Sequence, residues 1–385
     1  MSTGKTALVL GGGVGGVVAS HALKKRLSEP HRVVIIDRHA DHFFQPSLLW
    51  IMTGDRRPEA PRRPLERLRR KGIEVVRGEI TDIDVKGLSV TVDGTELSGD
   101  AIIVSLGAEL APDGIPGLSE AGYDLYTSDG AVGIRDALTG LRSGRLVVLT
   151  AAPAYKCPAA PYEAAMLLEY ACRRKGIRAD VEIELHAAEP GPMGVAGPDV
   201  SRGVQQMVES KGIAYHPGHQ VIRADPAERK LVFDDGAEVT YDLLAFVPPH
   251  RPPAVVRKAG LVGESGWVEV DPKTLETAFE GVYAIGDVTS IGLKLGKPLP
   301  KAGVFAHGQA EVVAQNVAHD WTGKGAATVF DGHGSCFIET GDGKAGYGSG
   351  DFYSEPTPQV TLHAPSRRWH WGKVLYEKGW LWKWF

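Results

Sequence analysis

The chain has 385 residues, enough for two domains of ordinary size, with the 43% hydrophobic and 23% charged residues of a globular protein. Its formal net charge of -4 argues against a nucleic acid as the main partner, because no overall positive field would hold one. The three cysteines, Cys157, Cys172 and Cys336, are far apart and lack CxxC spacing, which argues against a disulfide scaffold or a zinc site.

No targeting or membrane-spanning segment is visible. Residues 1–10 lack a basic stretch followed by a long apolar run and a small-residue cleavage site, so we expect no signal peptide. No stretch approaches the roughly 18 uninterrupted apolar residues that a spanning helix needs. Any membrane contact is therefore predicted to be peripheral.

The first elements in chain order predict a βαβ unit. An apolar strand over Thr6–Leu10 leads into a glycine loop over residues 11–16, a helix over residues 17–27 and a second strand over Arg32–Asp37. Residues 56–70 are rich in arginine and proline and predict an exposed loop and helix.

Further strands are predicted over residues 73–77, 88–92 and 101–106, with Asp93-Gly94 as a hairpin turn between two of them. After Pro112 a second βαβ unit follows, with strands over residues 145–150 and 180–186 around a helix over residues 162–175. Short strands recur over Lys230–Phe233 and residues 243–248. The predicted fold class is therefore α/β with two Rossmann-like dinucleotide-binding folds.

The glycine loop satisfies the G-x-G-x-x-G pattern. Gly11 makes the tight turn, Gly13 admits a pyrophosphate, Gly16 lets helix pack on strand, and Gly15 completes the glycine-rich turn. The loop opens a helix whose N-terminal amides favour phosphate. Asp37 ends the next strand, where a carboxylate binds ribose hydroxyls and disfavours NADP, so FAD or NAD is predicted.

A second motif separates these two cofactors. Residues 281–287 form a predicted strand that ends in Gly286-Asp287, which resembles the flavin-binding motif of flavoprotein reductases with two dinucleotide folds. In that family the aspartate binds the ribityl chain, and the resemblance gives Asp287 this role. The predicted cofactor is FAD.

The corresponding loop of the second βαβ unit has lost its glycines. Residues 150–163 read TAAPAYKCPAAPYE, with three prolines, no glycine and Cys157. A pyrophosphate cannot bind close to the backbone of this loop, because only glycine allows such an approach. We therefore expect no NADH site there.

Several short segments resemble the sulfide:quinone oxidoreductase family, in order and nearly end to end. The matching segments are residues 43–47 with Trp50 and Gly54, residues 156–163, residues 300–303, residues 335–337 with Gly341 and Asp342, and residues 368–378. The flavin subunit of flavocytochrome c sulfide dehydrogenase shares several of them.

The resemblance implies that Cys157 and Cys336 form the redox pair. In the implied cycle hydrosulfide attacks their disulfide or trisulfide, and the freed thiolate, which the resemblance assigns to Cys336, passes two electrons through FAD to quinone. Such a thiolate requires a lowered pKa. Lys301 is implied to place charge near flavin or quinone, and Glu163 to move protons at the sulfur site, although a helix N-terminal acid explains Glu163 nearly as well.

The chain departs from the family in one respect. Many members have a further cysteine ahead of the first redox cysteine, in some cases tethering the flavin, whereas this chain has none before Cys157. We expect non-covalent FAD. Cys172 is predicted to be core, His216 and His219 are not expected to relay protons, and no metal is implied because no HExxH-type ligand set occurs.

The tail from Arg367 onward carries Trp369, Trp371, Trp380, Trp382 and Trp384 among basic residues. Tryptophan prefers the bilayer interface and lysine favours anionic headgroups, so a peripheral membrane anchor is predicted, with burial against a partner subunit as the alternative. The sequence leaves open whether the chain forms a homo-oligomer. The predicted domains are residues 1–112 with 268–328 for FAD, residues 113–267 with the degenerate NADH site, and residues 329–385 for the second cysteine and the membrane.

The function predicted from these features is sulfide oxidation coupled to reduction of a membrane quinone. The enzymatic alternatives are a flavocytochrome-type flavin subunit and a type II NADH:quinone oxidoreductase. A redox-sensing flavoprotein is the alternative that is not an enzyme.

Overall fold

A computed structural model describes residues 4–385. The first three residues, which belong to the stretch without a signal-peptide pattern, lie outside the described residues. Two parallel five-stranded sheets form the framework, and each carries helices on its faces. The predicted α/β class with two Rossmann-like folds is confirmed.

The first parallel sheet combines strands from both ends of the chain. Its strands, in spatial order, are Val282–Ala284, Ala101–Val104, Thr6–Leu10, Arg32–Asp37 and Glu74–Arg77. The helices Val14–Arg26 and Gly303–Thr322 pack against each other on one face. Their buried faces are apolar, and both glycine motifs lie at the carboxyl ends of strands, where open α/β sheets bind ligands.

The second parallel sheet lies within the middle of the chain. Its strands, in spatial order, are Tyr123–Asp124, Leu243–Val247, Gly144–Thr150, Val181–Ala187 and Ala214–Pro217. The associated helices are Ser128–Gly140, Ala160–Arg174 and Pro198–Glu209. The central strands are buried on both faces, which explains their continuous apolar runs. Where each domain begins and ends stays a prediction.

A three-stranded antiparallel sheet follows, and we call it the C-terminal sheet. It consists of His333–Gly341, Lys344–Asp351 and Gln359–Ser366, and leads into the C-terminal helix, Arg367–Lys383. Ser366 caps this helix by accepting a hydrogen bond from the Trp369 amide. The C-terminal sheet packs on helix Ala160–Arg174, so it joins the two halves of the chain.

Smaller sheets and short helices complete the structure. The remaining strands are Asp41–Phe43 with Arg62–Pro64, Ile80–Asp84 with Ser89–Val92 and Thr95–Ser98, Glu109–Leu110 with His250–Arg251, Val221–Asp225 with Lys230–Phe233 and Glu238–Thr240, and Val268–Glu269 with Thr289–Ser290. The short α-helices are Leu48–Met52, Leu118–Ala121 and Ala254–Lys258, and the 3₁₀ helices are Gln45–Ser47, Leu65–Lys71, Pro112–Gly114, Arg178–Asp180, Gly194–Ala196 and Gly286–Val288.

The hairpin turn at Asp93-Gly94 exists, but its second strand was missed. Asp93 and Gly94 have φ values of +46° and +81°, and they join Ser89–Val92 to Thr95–Ser98. The strand Ala101–Val104 belongs to the first parallel sheet instead. Thr95–Ser98 is mostly exposed and has no apolar alternation, which is why the pattern did not indicate a strand.

Candidate active site

The glycine loop has the geometry of a phosphate-binding turn. Gly11 has a φ of +102°, and a Cβ at Gly16 would collide with the carbonyl oxygen of Gly11. A Cβ at Gly15 would press on the Ser105 hydroxyl. Gly13 is different, because a Cβ there would meet nothing within 4 Å. The protein leaves open space in front of Gly13, where the fingerprint requires room for a pyrophosphate.

Asp37 is tied to the same loop. Its Oδ2 accepts a hydrogen bond from the Gly12 amide at 2.5 Å, and its Oδ1 accepts one from the His39 amide at 2.6 Å. The Gly12 carbonyl is held from the other side by the buried His42, whose Nδ1 lies 2.9 Å away. Asp37 therefore sits beside the glycine loop with its carboxylate fixed by backbone amides.

Asp287 provides a second polar group facing the ligand side of the first parallel sheet. Its carboxyl oxygen Oδ1 is buried and has no hydrogen-bond partner in the described structure. Burial raises the pKa of Asp287, against the opposing charges of Lys156 and Lys301. A buried carboxyl oxygen without a donor calls for one from a ligand, such as a hydroxyl of a ribityl chain.

Lys301 supports this segment through the backbone. Its Nζ donates to the carbonyl oxygens of Asp287 at 2.8 Å and Thr289 at 2.7 Å, and lies 3.5 Å from the centre of the Trp267 ring. Burial lowers the pKa of Lys301 to about 8, although Asp287 opposes this. Lys301 is therefore not a solvated loop lysine, and it holds the Asp287 turn in place.

The open space at Gly13, the fixed Asp37 and the unpaired oxygen of Asp287 together fit a dinucleotide. They lie at the carboxyl ends of strands of one parallel sheet, as such a ligand requires. The residues present thus accommodate the cofactor that the motifs predicted.

Cys157 lies on the glycine-free loop in a strained backbone conformation. Its φ of +49° is in the left-handed region, which is unfavourable for a residue with a Cβ. Two contacts hold it there: its amide donates to the Lys301 carbonyl at 2.6 Å, and the Tyr126 hydroxyl lies 3.0 Å from its carbonyl. The first contact joins the loop directly to the segment that carries Lys301.

Cys336 lies on the first strand of the C-terminal sheet, opposite Gly348. Both Cys157 and Cys336 are free thiols and only partly exposed. They are close enough for the charge of Cys336 to raise the pKa of Cys157, after burial as the main cause. Burial, reinforced by Glu163, raises the pKa of Cys336 to about 12. Lys373 opposes this effect on both thiols but burial outweighs it, so these groups alone do not supply the lowered pKa that the proposed thiolate requires.

Glu163 and Lys373 form a buried ion pair beside the thiols. Glu163 Oε2 accepts hydrogen bonds from Lys373 Nζ at 2.6 Å and from the Glu339 amide at 3.0 Å. Burial alone would lower the pKa of Lys373, but Glu163 and Glu339 outweigh it and raise the pKa. Glu339 in turn contacts His370 Nδ1 at 3.0 Å. Glu163, Lys373, Glu339 and His370 therefore form a row of titratable groups from the thiols to the C-terminal helix, in which Glu163 meets the Glu339 backbone and Lys373 and Glu339 interact by charge.

Glu189 closes the position where an NADH ribose would bind. It follows the strand Val181–Ala187, as the ribose-binding acid does in a Rossmann fold. Its Oε1 accepts hydrogen bonds from the Tyr155 and Tyr162 hydroxyls, and its Oε2 accepts one from Thr150 at 2.6 Å. The acid is buried and saturated by side chains of the chain itself.

Comparison with known proteins supports this picture. Residues 5–310 match the pyridine nucleotide-disulphide oxidoreductase family. The chain belongs to that family. It is therefore an oxidoreductase, and membership of this family implies a flavin cofactor.

Individual relatives extend the match over nearly the whole chain. The mitochondrial sulfide:quinone oxidoreductase of Mus musculus is 24% identical over 91% of this chain and 78% of its own. The crystal structure of the sulfide:quinone oxidoreductase from Aquifex aeolicus has a TM-score of 0.89 and 26% identity, covering 99% of this chain and 91% of its own. The NADH dehydrogenase-like protein YutJ of Bacillus subtilis is 23% identical over 83% of this chain and 85% of its own. The predicted resemblance to sulfide:quinone oxidoreductases is confirmed.

Four of the five tail tryptophans of this oxidoreductase fall into two groups, and the fifth, Trp369, is half-buried and stacks on Tyr347. Trp380 and Trp384 are buried: Trp380 Nε1 donates to His42 Nε2 at 3.2 Å, and the Trp384 carbonyl lies 2.8 Å from His21 Nε2. The prediction of a membrane-facing role is wrong for these two, because they pack on the glycine-loop region. It is also wrong for Lys373, whose ammonium is buried by Glu163.

The other group lies on one exposed stripe of the C-terminal helix. Trp371 is 60% exposed, Leu375 66% and Trp382 84%, and their spacing places them on the same face. Beside this stripe is a cleft of about 790 Å³ whose lining includes the cations Arg63, Arg67, Lys71, Lys378 and Lys383. No helix within residues 4–385 is both long and apolar enough to cross a membrane.

Sequence reasoning missed Lys373, Glu339 and Glu189 as site residues. Each is an ordinary charged residue in its local sequence, and only burial reveals its role. The one available signal was the basic residue inside the helical tail motif. Cys172 is fully buried, which confirms its prediction as core.

Proposed function

We propose that the chain binds FAD, oxidises sulfide at Cys157 and Cys336, and transfers the electrons to a membrane quinone. The single observation that carries the proposal is the placement of two thiols, from opposite halves of the chain, beside one buried ion pair. The likeness to proteins named sulfide:quinone oxidoreductase in Mus musculus and Aquifex aeolicus supports it.

FAD would be held by the glycine loop, Asp37 and Asp287. The loop amides and the helix that starts at Val14 favour the pyrophosphate, and Asp287 offers its unpaired oxygen to the ribityl chain. When bound, FAD supplies a two-electron acceptor. Lys301 fixes the position of Asp287 through its backbone and joins that turn to the Cys157 loop.

The two thiols perform the sulfur chemistry in this proposal. In the oxidised protein they form a disulfide, and hydrosulfide attacks one sulfur, leaving a persulfide on one cysteine and a thiolate on the other. The left-handed backbone of Cys157 and the hydrogen bond from its amide to the Lys301 carbonyl hold the Cys157 sulfur in place. Cys336 sits on a regular strand opposite a glycine, so no side chain from that position covers it.

Glu163 and Lys373 hold charge and protons next to the sulfur atoms. The positive Lys373 favours each thiolate, whereas Glu163 disfavours it. Glu163 would take up a proton released from hydrosulfide, and Glu339 and His370, whose side chains are in contact, would carry protons toward the C-terminal helix. The half-buried His370 gives this row an end near the exposed helix stripe.

The membrane partner is proposed from the C-terminal helix. The exposed stripe with Trp371, Leu375 and Trp382 would enter the bilayer interface, and the basic cleft beside it would meet anionic headgroups. Such an orientation would bring a lipid-soluble quinone to the end of the row of titratable groups.

The test is anaerobic reduction of the bound flavin. Sulfide should bleach the flavin absorbance within the time of one turnover, and a short-chain quinone should restore it. Double replacement of Cys157 and Cys336 by serine should abolish bleaching by sulfide, whereas Cys172→Ser should not. Rapid bleaching in the double variant would contradict the proposal.

A further inference from the structure

The second parallel sheet brings together a cluster of histidines that the proposed sulfide chemistry does not use. Its members are Glu184 and His186 on the strand Val181–Ala187, His216 on the neighbouring edge strand, and His219 after it. His186 and Glu184 are buried, and His216 is exposed. The cluster therefore reaches from the sheet interior to solvent.

The strand geometry explains why these side chains meet. Residues two apart in a strand point to the same face, so Glu184 and His186 share one face. His186 and His216 are partners in the parallel ladder. The ligand atoms of Glu184, His186 and His216 all lie within 4.8 Å of one another, with His186 Nε2 and Glu184 Oε2 at 2.7 Å. Two imidazole nitrogens and one carboxylate oxygen thus converge on one point.

A second layer of contacts orients these groups. His219 Nδ1 lies 2.7 Å from His186 Nδ1, and the His219 ring stacks on Phe233 with 3.5 Å between ring centres. The other oxygen of Glu184, Oε1, lies 3.0 Å from Arg145 Nε. Partners on the far nitrogen of a histidine and on the far oxygen of a carboxylate are typical of metal ligands, because they fix the direction of the free lone pair.

We propose that Glu184, His186 and His216 bind a divalent transition metal ion, with Zn²⁺ as the best match. Imidazole nitrogen and carboxylate oxygen are ligands that suit Zn²⁺, and a three-residue set leaves the fourth position to water. The metal replaces the hydrogen bond between His186 Nε2 and Glu184 Oε2, and the single ring proton of the neutral His186 moves to Nδ1, where it is shared with His219 Nδ1. This site is independent of the proposed sulfide chemistry.

Binding requires one movement that the structure allows. The rings of His186 and His216 are stacked at 4.4 Å with an angle of 11° between their planes. Zn–N bonds are about 2.0–2.1 Å, so the stack must open and the exposed His216 must rotate toward His186 Nε2. His216 is exposed, so its ring has room to rotate on the side that does not stack on His186.

The experiment uses the purified flavin-containing protein, stripped with a chelator and kept free of sulfide. Isothermal titration with Zn²⁺ should show one saturable site per chain, and Co²⁺ should give the visible absorption of a four-coordinate site with nitrogen and oxygen ligands. His216→Ala should abolish both signals. His219→Ala removes the orienting contact with His186 but none of the three proposed ligands, and should weaken Zn²⁺ binding by about 10- to 100-fold.

His319→Ala serves as the matched control, because His319 lies at the end of helix Gly303–Thr322, away from the histidine cluster, with its Nδ1 at 3.3 Å from the Lys324 carbonyl. It should bind Zn²⁺ like the unmodified protein. Absence of saturable binding in the unmodified protein would overturn the proposal, and so would unchanged affinity in His216→Ala. His216 is exposed, so this variant folds even if replacement of the buried His186 does not. Because no sulfide or quinone is involved, failure of the proposed enzymatic activity leaves the result intact.

Discussion

Cys157 and Cys336 carry the same thiol but stand in different backbone surroundings. Cys157 is held in a left-handed conformation by its neighbours, whereas Cys336 lies in a regular antiparallel strand. In the proposed cycle they act as one unit with unequal roles, and the resemblance to the sulfide:quinone oxidoreductases assigns electron transfer to Cys336.

Single serine replacements should separate these roles. We expect Cys336→Ser to slow sulfide-driven flavin bleaching by a factor on the order of 10⁴, because a hydroxyl is a far poorer nucleophile than a thiolate. Cys157→Ser should retain slow bleaching but lose turnover, and the double variant should be no worse than Cys336→Ser. Stopped-flow absorbance at fixed sulfide measures all three, and unmodified rates in both single variants would end the two-thiol mechanism.

The charges of Glu163 and Lys373 should shift the thiol pKa values in opposite directions. Glu163 raises the pKa of Cys336 and Lys373 lowers it, so Glu163→Gln should make Cys336 more acidic and Lys373→Met less acidic. The pH profile of iodoacetamide labelling in the reduced protein, read peptide by peptide, measures this. Shifts in the same direction would show that the ion pair does not act on the thiols by charge.

Loss of Lys373 should also destabilise the fold. Lys373→Met leaves a buried Glu163 without its partner, which costs about 3–5 kcal/mol. The folded-state pKa of Lys373 is raised, so its stabilising effect is complete at neutral pH and is lost only as pH rises beyond the ordinary lysine value of 10.5. Denaturant unfolding at pH 7 and in this alkaline range checks both statements. Recovery of stability by Glu163→Gln in the Lys373→Met background is expected, and its absence would contradict the pairing.

At the level of whole elements, we expect the loop before helix Ala160–Arg174 to exclude NADH as the electron donor. Prolines replace the glycines there, and the hydroxyls of Tyr155 and Tyr162 donate hydrogen bonds to the carboxylate of Glu189. We therefore expect NADH to bleach the flavin at least about a hundredfold more slowly than sulfide, since no pyrophosphate seat remains. Anaerobic stopped-flow with each donor measures the ratio. Comparable rates would favour the NADH:quinone oxidoreductase alternative.

The C-terminal helix has one face buried against the rest of the protein and one face exposed. Trp382→Ser and Trp371→Ser should weaken binding to anionic liposomes and turnover with long-chain quinone, while sulfide-driven bleaching persists, because both side chains are exposed. The matched control is Trp380→Ala, which removes a buried ring and should instead lower stability by about 3–5 kcal/mol. Liposome sedimentation and thermal unfolding distinguish the two effects. Unchanged liposome binding in the double serine variant would assign the exposed stripe to a protein partner.

For the whole molecule, the positions of the cysteines predict that FAD is bound without a covalent bond. The proposed FAD contacts come from the first parallel sheet, and no cysteine precedes Cys157 in the chain. Acid precipitation should therefore release all of the flavin as FAD into the supernatant, where chromatography distinguishes it from FMN. Yellow colour that stays with the precipitated chain would show a covalent bond.

Much of the fold was predictable because its signals are local. The strands Thr6–Leu10 and Arg32–Asp37 and the glycine loop between them follow from apolar runs and from φ values that only glycine tolerates well, as at Gly11. The strand Thr95–Ser98 was missed because it is short, polar and exposed. Its pairing is imposed by the turn at Asp93-Gly94 and not by its own composition.

The sequence by itself determined the α/β class, the dinucleotide fingerprint and the loss of the second glycine loop, and its resemblance to a known family pointed to the two cysteines proposed to react. Only the tertiary structure decided that Lys373 faces Glu163, that Trp380 is buried and Trp382 exposed, and that His186 meets His216. The physical reason is that backbone turns and strand periodicity depend on neighbours in the chain. Burial, ion pairing and ligand convergence depend on which distant elements pack together, and that packing leaves no local mark on a lysine, a tryptophan or a histidine.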